Sequence, residues 1–136
     1  MSDLTPYLTL DEANRIIAGA IAKAHELKVK IGIAVCDAGG RLVAFQRMDG
    51  AFYATVYGSQ GKAAASAAFA KPSGDLQDRA ATPIISGIIR NEGNNIIPSQ
   101  GAVPIFRNGV LIGACGIGGA APQQDEDCAR AGVALL

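Results

Sequence analysis

Apolar residues at Ala13, Ile16, Ile17, Ala20, Ala24 and Leu27 recur three and four positions apart, the period of a helix with one buried face. Thr9 and Glu12, in T-L-D-E, supply the reciprocal cap that starts it. A flatter second stripe, Ala18, Ile21, Ala22 and His25, keeps the same spacing and ends in the chain's one histidine. A helix with two such stripes packs on its own core and on a neighbour, which His25 would face. The alternative is a surface histidine favoured by the negative end of the helix dipole. Over 29–37 the period becomes two, with Ile31, Ile33 and Val35 on one face of a strand. Ala38-Gly39-Gly40 turns the chain, and 41–48 returns as a hairpin partner. Asp37, at that turn, is placed to bond loop backbone.

Residues 52–69 are alanine-rich and predict a long helix. From 70 to 101 the pattern loosens around a short helix at 82–90, with Thr82 as N-cap and Pro83 as first helical residue. A loop-rich excursion inside a compact domain is often functional. Residues 103–106 and the run from Val110, joined by Arg107-Asn108-Gly109, form a second hairpin around a type I′ turn. The strand from Val110 is thinned by Gly113, Gly116, Gly118 and Gly119, glycines that mark close approach by a backbone or a ligand. Pro122 then opens a helix with Asp125, Glu126 and Asp127 near its positive end. Asp125 shares a face with Cys128, Ala129, Gly132, Val133 and Leu136, which puts its carboxylate at the rim of a buried stripe. It is either satisfied by first-turn N–H groups or lines a pocket whose other wall is the glycine strand. The order helix, hairpin, long helix, excursion, hairpin, helix predicts one α+β domain over 1–136, with a mostly antiparallel sheet.

Composition narrows the function. Hydrophobic residues make up 49% and charged residues 18%, so general disorder is excluded. The net charge is +0, and no basic block or aromatic platform suggests nucleic acid. Aromatic residues are only 5% and Trp is absent, which leaves the core to Ala, Ile, Val and Leu. Seventeen glycines and so few charges point to close packing and a homo-oligomer. Cys36, Cys115 and Cys128 lack metal-knuckle or disulfide spacing and read as inert thiols. With no basic segment leading an apolar one at the N-terminus, and no apolar run of membrane-spanning length, a soluble cytoplasmic protein is expected.

Nucleotide, zinc-protease and serine-hydrolase motifs are absent. What remains is Arg47, Lys62 and Asp125, with Asp37 and Asp49 as further carboxylates, beside the glycine backbone of Gly116, Gly118 and Gly119. Arg47 either pairs with Asp49 or presents its guanidinium fork to a carboxylate ligand. Lys62 is the lone charge of an apolar helix, so it either reaches solvent or meets an anion. Two cations beside apolar walls suit a porphyrin or a small unsaturated acid.

The chain resembles the GlcG/HbpS-type haem-binding family, also seen as the C-terminal domain of PduO-type proteins. The likeness rests on L-T-L-D-E-A from Leu8, I-A-V-C-D-A-G-G-R-L-V-A-F-Q-R-M-D-G over 33–50 and G-K-A-A-A-S-A-A-F from Gly61. It continues in V-P-I-F-R-N-G-V-L-I-G-A-C-G-I-G-G from Val103 and Q-D-E-D-C-A-R-A-G from Gln124. The resemblance implies one antiparallel sheet of about five strands flanked by helices, assembled as a higher oligomer, often an octamer. It implies haem as ligand, with His25 at the position of an iron-ligating histidine and Arg47 and Lys62 near the propionates. Other members sit beside catabolic genes. A small isomerase, lyase or hydrolase acting on an organic acid is therefore the second expectation, with Lys62 or Asp125 as acid–base group and Arg47 as clamp. A third is a scaffold without a ligand. Ile117-Gly118-Gly119 replaces the family's V-S-G, and Gly101-Ala102-Val103-Pro104-Ile105 its G-G-x-P-I; both changes fall at the expected pocket.

Overall fold

The structure, a computed structural model, describes residues 5–136; the expectation drawn from the first four residues lies outside them. Helix α1 (Leu10–Leu27) begins at the expected cap, where Thr9 Oγ1 accepts from the Glu12 N–H at 3.2 Å and Glu12 Oε1 from the Thr9 N–H at 3.0 Å. Lys28 stops it in the left-handed conformation at φ 59°. The Glu12 carboxylate also pairs with Arg107, whose Nη1 donates to the carbonyls of Thr5 and Tyr7. Burial alone would push the Glu12 carboxyl up, but the bonds from Arg107 and Thr9 outweigh it and hold the group below its usual range. One ion pair thus ties the start of α1 to the second hairpin.

Four antiparallel strands, β1 (Gly32–Asp37), β2 (Leu42–Arg47), β3 (Ala102–Arg107) and β4 (Val110–Gly118), lie in the order β2-β1-β4-β3. The sheet has one strand fewer than expected, and β1 is shorter than the 29–37 pattern. The reason is local: Val29 N–H still closes the helix end on Ala24, so extended pairing starts only at Gly32. Asn108 and Gly109, at φ 52° and 78°, make the type I′ turn between β3 and β4.

Each face of the sheet carries its own helices. Ile33, Val35, Cys115 and Ile117 meet α1 and α4 (Pro122–Val133) in the main core. On the other face Ala34, Cys36 and Ala114 meet Ala63 and Ala67 of α2 (Thr55–Phe69). The outer side of α2 is covered by Leu76, from a 3-10 segment over Ser73–Arg79, and by Ile88 and Ile89 of α3 (Pro83–Asn91). Thr82 and Pro83 stand at the N-cap and the first turn of α3 as expected, but the Thr82 hydroxyl donates back to the Arg79 carbonyl at 2.7 Å instead of accepting from a helix N–H. No helix of the described residues is long and apolar enough to cross a membrane.

Small residues let α2 lie between two layers, yet one of them does no such work. A Cβ added at Gly58 would meet nothing within 4 Å. Gly58→Ala should therefore raise stability by about 0.5–1 kcal/mol through helix propensity alone. Urea unfolding checks it; an unchanged or lower midpoint would show that Gly58 is packed by something outside this chain.

Candidate functional site

The second stripe of α1 and the end of β2 meet at a cavity of about 590 Å³. Ile21 and His25 come from the helix, and the left-handed stop at Lys28 swings Lys28, Val29 and Lys30 along its edge. Arg47, Met48 and Asp49 close the opposite side. That side is fixed, because Met48 N–H donates to the Ile31 carbonyl at 2.9 Å and Ala51 N–H to Met48 at 3.1 Å. Gly50, at φ 84°, completes the turn beneath the Lys30 side chain: a Cβ there would stand 2.9 Å from Lys30 Cδ. Three cations, one carboxylate and one imidazole thus border Ile21, Val29 and Met48. Such a lining favours an anionic ligand with an apolar body. His25 and Arg47 are both exposed, and Arg47 forms no ion pair with Asp49 among the described residues.

Lys62 and Asp125 are elsewhere. Lys62 Nζ donates to Asp125 Oδ2 at 3.1 Å and to the Ile117 carbonyl at 3.0 Å, and the two side chains are 12% and 3% exposed. Asp125 Oδ1 accepts from the Ala120 N–H at 3.0 Å. Burial pushes the Asp125 carboxyl above its usual range despite the Lys62 charge and these bonds. The lysine lies over Gly101, which at φ 143° admits no side chain: a Cβ there would come within 2.8 Å of Nζ and of the Ile117 carbonyl. The pair binds α2, β4 and α4 together.

This arrangement corrects three expectations. Arg47, Lys62 and Asp125 do not share a pocket, so the organic-acid site built from them is not formed. Lys62 does meet an acid, one of the outcomes open to it, but that acid is Asp125 within the fold. Lys62 does not line the His25 cavity, so its expected place near haem propionates is not found there. Gly116, Gly118 and Gly119 wall no hollow, because α2 occupies the space. A Cβ on Gly116 would run into the Ser59 carbonyl and stand 2.6 Å from the Ala63 nitrogen. One on Gly118 would touch Ser59 and Thr55, and one on Gly119 the Lys30 carbonyl at 2.6 Å. The two departures from the family pattern accordingly fall in helix–sheet packing; Ala102 is fully buried, with its N–H donating to Ser73 Oγ at 2.9 Å.

Other residues behave as their local chemistry dictates. Asp37 Oδ1 accepts from the N–H groups of Gly39 and Arg41, the loop role expected of it. All three cysteines are buried and free, and burial pushes their thiols up, Cys36 to about 12 and Cys128 to about 11, which keeps them protonated and inert. Lys28, Lys30 and Met48 were not singled out from sequence as site residues. Their signal is the K-V-K run just past the last apolar turn of α1, legible only once the stop at Lys28 is known.

A four-stranded antiparallel sheet between helical layers, with a cavity lined by three cations and a histidine, defines a small α+β domain. The chain belongs to the HbpS-like family: the family model described as "Haem degrading protein HbpS-like" matches residues 8–134. A Citrobacter freundii relative, an uncharacterized 15.0 kDa protein of the dhaT-dhaS intergenic region, is 32% identical over 121 residues, 88% of this chain and 84% of its own. The Citrobacter freundii corrinoid adenosyltransferase PduO is 26% identical over 131 residues, 95% of this chain, which spans only 39% of that protein's length. The crystal structure of HbpS superposes with a TM-score of 0.86 at 26% identity, covering 97% of this chain and 92% of that one. That of a PduOC:heme complex gives 0.85 at 24% identity over 96% and 95%, a likeness of fold.

Proposed function

We propose that this protein is a haem-binding homo-oligomer, in which His25 ligates the iron and Arg47, Lys28 and Lys30 face the propionates. The observation that carries the reading is the chain's one histidine in the same cavity as three cations and the apolar side chains of Ile21, Val29 and Met48. The donor set fits the group. Among the described residues no cluster of three or more His, Cys, Asp or Glu side chains could cage a bare metal ion. A tetrapyrrole brings four nitrogens of its own and asks the protein for an axial base and charge partners. Haem supplies the iron and its redox chemistry when bound. The chain's residues would orient it: the imidazole projects from a helix whose other face is buried in the core, and Lys28, Lys30 and Arg47 would meet the propionates.

The protein's membership of a family described as haem degrading, and its likeness to a haem-bound domain, support this ligand. Assembly, with the octamer as the size proposed, is supported by apolar side chains left at the surface, with Phe52 78%, Tyr53 74% and Tyr7 62% exposed. Three buried, unbridged cysteines accord with a reducing compartment, the cytoplasm.

Haemin titration of the purified chain should give a saturable Soret band with a Kd near or below about 1 μM. His25→Ala should lose or shift that band, and Arg47→Ala should weaken binding about tenfold without moving it, since it removes a charge partner and leaves the iron ligand. No saturable spectral change in the wild type removes haem as the ligand. An unchanged band in His25→Ala moves the iron to another residue. Native mass spectrometry of protein purified from its own host reads the subunit number and any retained tetrapyrrole together.

A further inference from the structure

A second cavity, of about 460 Å³, opens on the outer face of α2 and shares no residue with the first. Its floor is Tyr57, Gln60, Gly61 and Ala64, one stripe of the helix, and its walls are the β1–β2 turn at Gly40 and Arg41 and the loop over 92–97. The walls are tied down. Ile97 N–H donates to the Gly61 carbonyl at 3.0 Å, Asp37 holds the N–H of Arg41 at 3.0 Å, and Asn95 Nδ2 donates to the Glu92 carbonyl at 2.9 Å. Arg41 Nη1 and Glu92 Oε1, one from each wall, stand 3.6 Å apart, too far for a good hydrogen bond.

We propose that this groove binds a neutral polyhydroxylated molecule of monosaccharide size. Each sugar hydroxyl both donates and accepts, so a site for it must offer donors and acceptors side by side on planar groups. The Arg41 guanidinium, which spends Nη1 on the Gly39 carbonyl at 2.8 Å and keeps its other N–H groups, and the Glu92 carboxylate do so, and the amides of Gln60, Asn94 and Asn95 line the same space. Gln60 spends its Nε2 on the Val56 carbonyl at 3.0 Å, which leaves Oε1 as an acceptor. Tyr57 is 68% exposed and lines the groove, where its ring offers a flat apolar surface to the C–H side of a sugar ring. One cation and one anion cancel across the groove, so it selects neither anions nor cations, unlike the cavity at His25. Its volume is within the range of small-molecule sites.

Calorimetric titration of the full-length protein with D-glucose, D-galactose, D-mannose, D-fructose, D-ribose and myo-inositol tests the proposal. At least one should bind saturably with a Kd below about 1 mM. Tyr57→Ala and Glu92→Gln, both solvent-facing and checked for fold by circular dichroism, should each weaken that binding at least about tenfold. The haemin titration of both variants should be unchanged, so this site and the haem site stand or fall separately. No saturable heat from any of the six up to about 10 mM overturns the proposal. So does a sugar that binds Tyr57→Ala as tightly as wild type, or acetate or methylamine binding more tightly than every sugar.

Discussion

A Gly116→Val variant is expected to lose most of its soluble, folded population. Gly116 lies in the middle of β4, paired with Ala34 on β1 and Ala102 on β3, so its strand is held from both sides. Its α-carbon faces α2, and a Cβ there would strike the Ser59 carbonyl and approach the Ala63 nitrogen at 2.6 Å and the Ala63 Cβ at 2.9 Å. Two of those three atoms belong to helix backbone, which cannot rotate away as a long side chain can. Overpacking a core costs roughly 1–3 kcal/mol where side chains can adjust, and more where they cannot. A loss of about 4 kcal/mol would be a large part of the roughly 5–15 kcal/mol that holds a domain folded. Soluble yield and urea unfolding measure it. A variant that folds with a midpoint within about 0.5 M urea of wild type would mean that α2 does not sit on β4 as described. It would also revive the idea of a hollow there.

That glycine also marks where the sequence stops being legible. Element order, both hairpins, the Thr9–Glu12 cap and the α+β class follow from period and turn chemistry, because those signals are local. Close approach at Gly116 was legible too, but not what approaches. A glycine strand opposite an alanine-rich helix reads equally as a ligand wall and as a helix seat, and only the register of α2 over β4 decides. Lys62 is a second case. Its isolation in an apolar helix correctly pointed to an anion, yet the partner is 63 positions away on α4. For Asp125 the helical spacing gives the face and not the depth, so a backbone-satisfied acid and a pocket wall both stay open until the Ala120 N–H and Lys62 are seen to hold it. The second stripe of α1 set His25 off the core face, and it is exposed there on the lining of the first cavity. Of the cations beside it, Lys28 and Lys30 depend on a left-handed residue at Lys28, a conformation that lysine does not advertise.

Lys62→Met should destabilise the protein by about 3–5 kcal/mol at neutral pH, because it strands a buried carboxylate. Asp125 would keep only the Ala120 N–H, losing both the bond and the charge that now work against burial. With those gone the carboxyl, already above its ordinary value of 3.8, rises further. The sign follows from proton uptake. Between the unfolded value and the raised folded one, the native state holds more protons than the unfolded state, so stability falls as pH rises through that window. The penalty is complete above the folded value and vanishes below 3.8. The deficit of Lys62→Met against wild type should therefore shrink as pH is lowered from about 7 towards about 4. Adding Asp125→Asn should recover much of the loss, since a neutral amide in the same place needs no counter-charge. Urea unfolding across that pH range reads both effects. A deficit that is the same at every pH, or a double variant no more stable than Lys62→Met, would show that Lys62 stabilises the fold through its aliphatic stem and not through Asp125.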